Sequence, residues 1–193
     1  RGAWLRCPFR AGSIRSWNTS LGPRVTTVAP SAGEGAATIR SGKFPAAVAR
    51  FLPEAEVFPK ACPLFVPLVE DGHITPGDPL ASPAVPYYLR ELRDWGMDTL
   101  ILGCTHYPLL APLIRDYLGP EVALVSAGRE AALAAADLLR ERGLLSGREE
   151  GGGCRYCVTD AAGSFPQVAE VFLGAPVEEV IPVDISRLER LGE

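Results

Sequence analysis

The segment Asp98-Thr99-Leu100-Ile101-Leu102 is short and largely apolar, and it breaks abruptly into Gly103-Cys104-Thr105-His106-Tyr107-Pro108. An apolar run of this length, bounded by turn formers, reads as a buried strand rather than a helix. Pro108 suits a first helical turn, where its missing N–H is not needed. A strand passing into a helix in this way is the repeating junction of an open α/β sheet, and such sheets place their chemistry at the carboxyl ends of strands. Cys104 is therefore expected near a helix N-terminus. The partial positive charge there, and His106 as a neighbouring proton carrier, would favour a thiolate. A thiolate so placed can act as a base, a nucleophile or a metal ligand, and these residues alone leave all three open.

From Ala36 onward apolar stretches alternate with amphipathic ones, which predicts an α/β fold with parallel sheets flanked by helices. The pattern predicts strands over 56–58, 99–102, 122–125, 155–159 and 179–181, and helices over 38–51, 63–70, 82–95, 108–118, 129–142 and 164–172. Gly119, Gly143 and Gly174 follow expected helices as stop signals. The segment 146–153 reads as an exposed loop, and its three consecutive glycines lack the lysine and spacing of a phosphate loop.

The chain has 193 residues, 47% of them hydrophobic, enough to bury a core in one or two domains. A net charge of -4 argues against a nucleic-acid partner, which would require a concentrated basic face. No apolar segment approaches the roughly 20 residues that span a bilayer, so no membrane partner is expected. Five widely spaced cysteines read as reduced intracellular thiols, with the cytoplasm as the compartment. Residues 1–33 stand apart: they carry five arginines and no carboxylate, they are rich in Ser, Gly and Pro, and they show no sustained periodicity. They are expected to lack regular structure. Their composition resembles a transit peptide, but a truncated or garbled start is the favoured reading of a chain beginning at Arg1.

Two longer segments narrow the function: Lys60-Ala61-Cys62-Pro63-Leu64-Phe65-Val66-Pro67-Leu68-Val69-Glu70-Asp71-Gly72, and Leu100 through Leu110 around Cys104. Together, and in this order, they resemble the signatures of bacterial glutamate racemase, within the aspartate/glutamate racemase superfamily. Thr38-Ile39-Arg40-Ser41-Gly42 adds a weaker match to that family's Thr-x-x-Ser-Gly element. The resemblance covers about residues 36–183. It implies a cofactor-independent isomerase that interconverts L- and D-glutamate for peptidoglycan synthesis, with glutamate as its small-molecule partner, no cofactor and no metal; a homo-oligomer is left open. Racemising an α-carbon requires an acid/base group on each face of the substrate. The resemblance makes Cys104 the second of two thiols, His106 its acid/base neighbour, Glu70 an assisting carboxylate, and Thr105 and Thr38 substrate-binding residues.

The family's first thiol stands in a Cys-Asn-Thr segment preceded by an Asp-Ser-Gly loop, and neither is intact here. Trp17-Asn18-Thr19-Ser20 has tryptophan at the cysteine position, and Cys7 is followed by Pro8-Phe9. The strand that should lead into Thr38 is not recognisable either. The expected organisation is therefore an aberrant segment over 1–33, a racemase-type domain over 34–125 carrying Cys104, and a remnant over 126–193 that would complete a missing domain. Leu133, Leu138, Val168 and Phe172 of that remnant would present apolar faces without a sheet to cover them. The expected activity is glutamate racemisation, absent from this chain in isolation; the alternatives are another amino-acid racemase of the superfamily or a non-catalytic fragment. Cys154-Arg155-Tyr156-Cys157 has the spacing of half a zinc or redox site, but no second such pair accompanies it, so two ordinary strand cysteines are the favoured reading.

Overall fold

The computed structural model describes residues 23–29, 42–148, 152–159 and 163–184. Contacts gather the chain into two compact units, one running through residue 69 and again over 73–145, the other comprising 70–72 and the residues from 146 onward.

The first unit is built on a four-stranded parallel sheet in the order β2-β1-β3-β4, with β1 Arg24–Ala29, β2 Glu56–Ala61, β3 Thr99–Leu102 and β4 Ala123–Ser126. Helices connect the strands: α1 Lys43–Phe51 precedes β2, α2 Phe65–Glu70 and α3 Ala81–Trp95 separate β2 from β3, and α4 Ala111–Leu118 separates β3 from β4. Helix α5, Ala127–Glu141, follows β4 directly. The second unit contains a parallel pair, β5 Tyr156–Val158 and β6 Val180–Pro182, joined through α6 Phe165–Leu173.

The largest difference from the sequence reading is β1. Residues 24–29 fall within the segment expected to lack regular structure, yet they form an inner strand of the sheet, paired with β2 on one side and β3 on the other. Val25 through Ala29 are all buried. The strand expected to be missing before Thr38 is thus present. Two properties hid it. Its middle is Thr26-Thr27, whose hydroxyls are buried without a hydrogen-bond partner, and a buried polar pair is not what a core strand usually offers. Its flanking Arg24 carries a charge whose partners all lie far along the chain. The Arg24 backbone N–H donates to the Asp98 carboxylate at 2.7 Å, its guanidinium pairs with Glu56 at 3.3 Å and donates to the Trp95 carbonyl, and it stacks 5.3 Å from the Trp95 ring centroid. Residues 1–22 and 30–33 lie outside the described ones.

Helix α3 shows why the sheet has a dry face. Ala81, Ala84, Val85, Tyr88, Leu89 and Leu92 are buried, a spacing of three and four that puts one stripe against the strands. Gly96 ends the helix in the left-handed conformation at φ 81°, which a side chain would oppose, and an added Cβ there would sit 3.2 Å from the Arg24 guanidinium. At the other end Asp78 accepts hydrogen bonds from the backbone N–H groups of Leu80 and Ala81, both at 2.9 Å, and faces His73 Nδ1 at 2.9 Å. Strand β2 runs three residues beyond its expected end, through Pro59. It is an edge strand, where a missing N–H costs no ladder bond.

The domain boundary expected at 125/126 also moves. Strand β4 passes straight into α5, whose first turn is capped by the Ser126 hydroxyl accepting from the Arg129 N–H at 3.3 Å. The first unit therefore continues to Leu145. No residue of α5 is buried, and Leu133 is 45% exposed; Leu138, Val168 and Phe172 are half-buried.

Two outcomes test this arrangement. Val28 is fully buried in β1, so Val28→Asp is expected to remove several kcal/mol, roughly the cost of an unpaired buried charge, and with it the cooperative thermal transition; an unchanged melt would remove β1 from the sheet. The backbone bond from Ala81, then His73, holds the Asp78 carboxyl below its ordinary value near 3.8. A depressed carboxylate stabilises the fold fully above that ordinary value and loses its contribution as pH falls through the lower folded one. Melting temperatures of the native chain are therefore expected to decline more steeply on acidification from roughly pH 6 to 3 than those of Asp78→Asn.

Candidate active site at the carboxyl end of the sheet

The connection from β1 leads to β2 on one side, and that from β3 leads to β4 on the other. The carboxyl ends of β1 and β3 thus flank a topological switch point, the place where open parallel sheets leave a crevice for ligands. Cys104 lies two residues beyond the end of β3. The Gly103 N–H donates to the Val28 carbonyl at 3.0 Å, extending the β1–β3 ladder up to the residue before the cysteine. On the other flank the Cys62 N–H donates to the Ala29 carbonyl at 3.0 Å.

Cys104 Sγ lies 3.7 Å from His106 Nδ1, and the Thr105 hydroxyl oxygen lies 3.2 Å from the same nitrogen. Cys104 and His106 are half-buried, and Thr105 is exposed. One ring nitrogen thus serves both a thiol and a hydroxyl. With Nδ1 unprotonated it accepts from either; protonated, it donates to a thiolate or to the hydroxyl oxygen. This is a short proton relay at the edge of solvent, suited to acid/base work at a substrate atom placed above it.

The helix expected from Pro108 begins as a single 3₁₀ turn, Tyr107–Leu110, and becomes α-helical only at Ala111. The cysteine is therefore farther from an α-helical N-terminus than the sequence suggests, and the dipole argument weakens accordingly. Tyr107, to which the sequence reading assigned nothing, is fully buried, and its hydroxyl donates to the Cys62 carbonyl at 2.7 Å. Its ring meets Phe65 edge-on at 5.2 Å, and Phe65 meets Tyr88 in the same way at 5.3 Å. Such contacts contribute about 0.5–1.5 kcal/mol each beyond burial. The available signal was an aromatic hydroxyl inside an otherwise apolar helix start, which must find an acceptor if buried.

Glu70 is the last residue of α2, exposed, and is counted in the second unit rather than with Cys104. Thr38 lies outside the described residues. Among the described residues no group of three or more His, Cys, Asp or Glu side chains could hold a metal ion, and no helix is long and apolar enough to cross a membrane. Cys154 and Cys157 are exposed free thiols.

A parallel α/β sheet thus carries a thiol–imidazole pair at its switch point. Comparison with known proteins adds to this: in sequence and in fold the chain is similar to glutamate racemases. It is 43% identical to the glutamate racemase of Geobacter metallireducens over 148 residues, which are 77% of this chain and 54% of that protein. To the enzyme of Syntrophus aciditrophicus it is 38% identical over 148 residues, again 77% and 54%. The crystal structure of Francisella tularensis glutamate racemase in complex with D-glutamate matches with a TM-score of 0.71 at 29% identity, covering 85% of this chain and 59% of that one. The Thermus thermophilus enzyme in complex with β-chloro-D-alanine matches with a TM-score of 0.66 at 35% identity, covering 86% and 58%. The chain spans about half the length of the curated relatives it matches. No family model matches.

The two cysteines nearest this end of the sheet should behave in opposite ways. Cys62 is fully buried, and burial, only partly offset by Lys60, pushes its thiol up to about 12. Iodoacetamide at roughly pH 8 should alkylate Cys104, Cys154 and Cys157 in the folded chain and leave Cys62 unmodified until denaturant is added, as peptide-resolved mass spectrometry would read. Because the raised thiol favours the protonated, folded form, stability should fall as pH rises above 9.0, the unfolded value.

Proposed function

We propose that this chain carries one of the two acid/base stations of a glutamate racemase, with Cys104 as the proton donor and acceptor for one face of the α-carbon. The observation that carries this reading is the Sγ–Nδ1 approach of 3.7 Å between Cys104 and His106 at the carboxyl end of β3, within a chain similar to glutamate racemases. His106 takes the thiol proton as the thiolate forms and returns it when the thiol is needed. Thr105, exposed beside the pair, offers a hydroxyl to the substrate carboxylate, and Thr38 a second. Glu70 is the assisting carboxylate.

The D-glutamate in the Francisella structure supports glutamate as the substrate class. The product would serve peptidoglycan synthesis, in the cytoplasm, without a cofactor. A thiol on one face removes or delivers a proton there only, and inversion requires a partner on the other. The 193 residues contain no recognisable Cys-Asn-Thr segment to supply it.

Incubation of the chain alone with L-glutamate in D₂O is therefore expected to yield no α-deuterated D-glutamate. Supplying the N-terminal half of a glutamate racemase, in a fusion or by co-expression, should restore inversion, and Cys104→Ala should abolish it again by at least about a hundredfold. Inversion by the chain alone, or restored inversion indifferent to Cys104, would overturn the reading.

A further inference from the structure

We propose that Tyr107 is a positioning residue for the Cys104–His106 pair, its buried hydroxyl bond to the Cys62 carbonyl setting where the chain turns after the cysteine. The inference deepens the reading above and relies on it only for the catalytic relevance of the pair; the geometry stands by itself. Three residues, Cys104, Thr105 and His106, separate two tethers. On one side the Gly103 N–H is bonded to the Val28 carbonyl at 3.0 Å. On the other the Tyr107 hydroxyl is bonded to the Cys62 carbonyl at 2.7 Å, and the Cys62 N–H is bonded in turn to the Ala29 carbonyl at 3.0 Å.

Both tethers therefore return to neighbouring carbonyls of the same strand. A span this short, pinned at both ends, has few conformations left, since consecutive Cα atoms are about 3.8 Å apart. The Leu109 N–H donating to the His106 carbonyl at 3.0 Å closes the turn on the far side. The ring of Tyr107 is held edge-on by Phe65, itself held by Tyr88, so the tether is rigid down into the core.

The thiol–imidazole separation of 3.7 Å is near the outer limit for a sulfur hydrogen bond, so a displacement well under an ångström decides whether the pair is coupled. Tyr107 follows His106 directly in the chain, so its tether acts on the pair through the backbone of His106. Burial holds its phenol well above the ordinary value, so the hydroxyl remains a donor at all working pH values.

The test reads thiol chemistry rather than turnover, using the full chain and peptide-resolved iodoacetamide alkylation of Cys104, with the exposed Cys154 and Cys157 as internal references. Tyr107→Phe keeps the ring and removes the hydroxyl. It is expected to change the Cys104 rate by about threefold or more. Most of the change should vanish when Tyr107→Phe is made on a His106→Gln background, because the tether acts on the thiol by placing that imidazole. Ile114→Ala, which damages the core at α4 and leaves the hydroxyl bond and its flanking rings in place, should lower Tm while leaving the dependence on His106 intact.

An unchanged Cys104 rate, the same factor with and without His106, or an equal change at Cys154 and Cys157 would each overturn the proposal. If Tyr107→Phe loses its cooperative transition, the unaltered chain still decides: a Tyr107 hydroxyl proton protected from exchange and showing a nuclear Overhauser effect to the Phe65 ring supports the tether, and a freely exchanging one refutes it. Failure of glutamate inversion in the complemented chain would sink the racemase reading and leave the alkylation result standing.

Discussion

The site depends on two adjacent carbonyl groups of one strand. Val28 accepts from Gly103 and Ala29 accepts from Cys62, so β1 holds the ends of β2 and β3 in register at the edge where the thiol emerges. Hydrogen bonds of this kind contribute only about 0.5–1.5 kcal/mol each. Their importance is geometric, because the flanking strands have no direct contact with one another in the sheet order. The same strand is anchored at its other end by Arg24, which joins Glu56 of β2, the C-terminal turn of α3 and Asp98 at the start of β3. One charged residue thereby fixes three elements that the chain visits at widely separated times.

Above this platform the chemistry is wet, and below it the packing is dry. Leu100, Leu102, Val85, Leu89 and Leu92 are buried in the core, and the edge-on series Tyr88–Phe65–Tyr107 carries that packing up to the residue beside His106. Cys62 and Cys104 illustrate the division. Both stand at strand ends on the same edge, yet Cys62 is sealed into the core with its thiol held protonated, while Cys104 opens to solvent next to an imidazole and a hydroxyl. The same side chain is inert in one place and available in the other because of its surroundings.

Much of this was legible in advance. The strand at 99–102 falls where the periodicity puts it, the helical segments from α2 onward start and end within about two residues of expectation, and the Cys104-Thr105-His106 cluster forms as adjacent residues must. The departures have physical causes. Strand β1 contains two threonines at positions normally filled by aliphatic residues, and the acids that neutralise its arginine lie at 56 and 98. Pro59 reads as a strand breaker until the strand is known to be at an edge. The boundary sought at 125/126 is bridged by a helix cap, and Thr38 lies outside the described residues.

What the sequence determined by itself was local: a short apolar strand, a turn that cannot continue it, and a thiol, hydroxyl and imidazole on consecutive residues, whose mutual approach needs little more than covalent geometry. What only the tertiary structure decided was that this turn lies at a switch point beside β1, and that Tyr107 ties it to the end of β2. Those relations run through hydrogen bonds between residues 28 and 103, 29 and 62, and 62 and 107. Such long-range pairings are set by how strands stack in the folded sheet, and no local pattern of side chains encodes them.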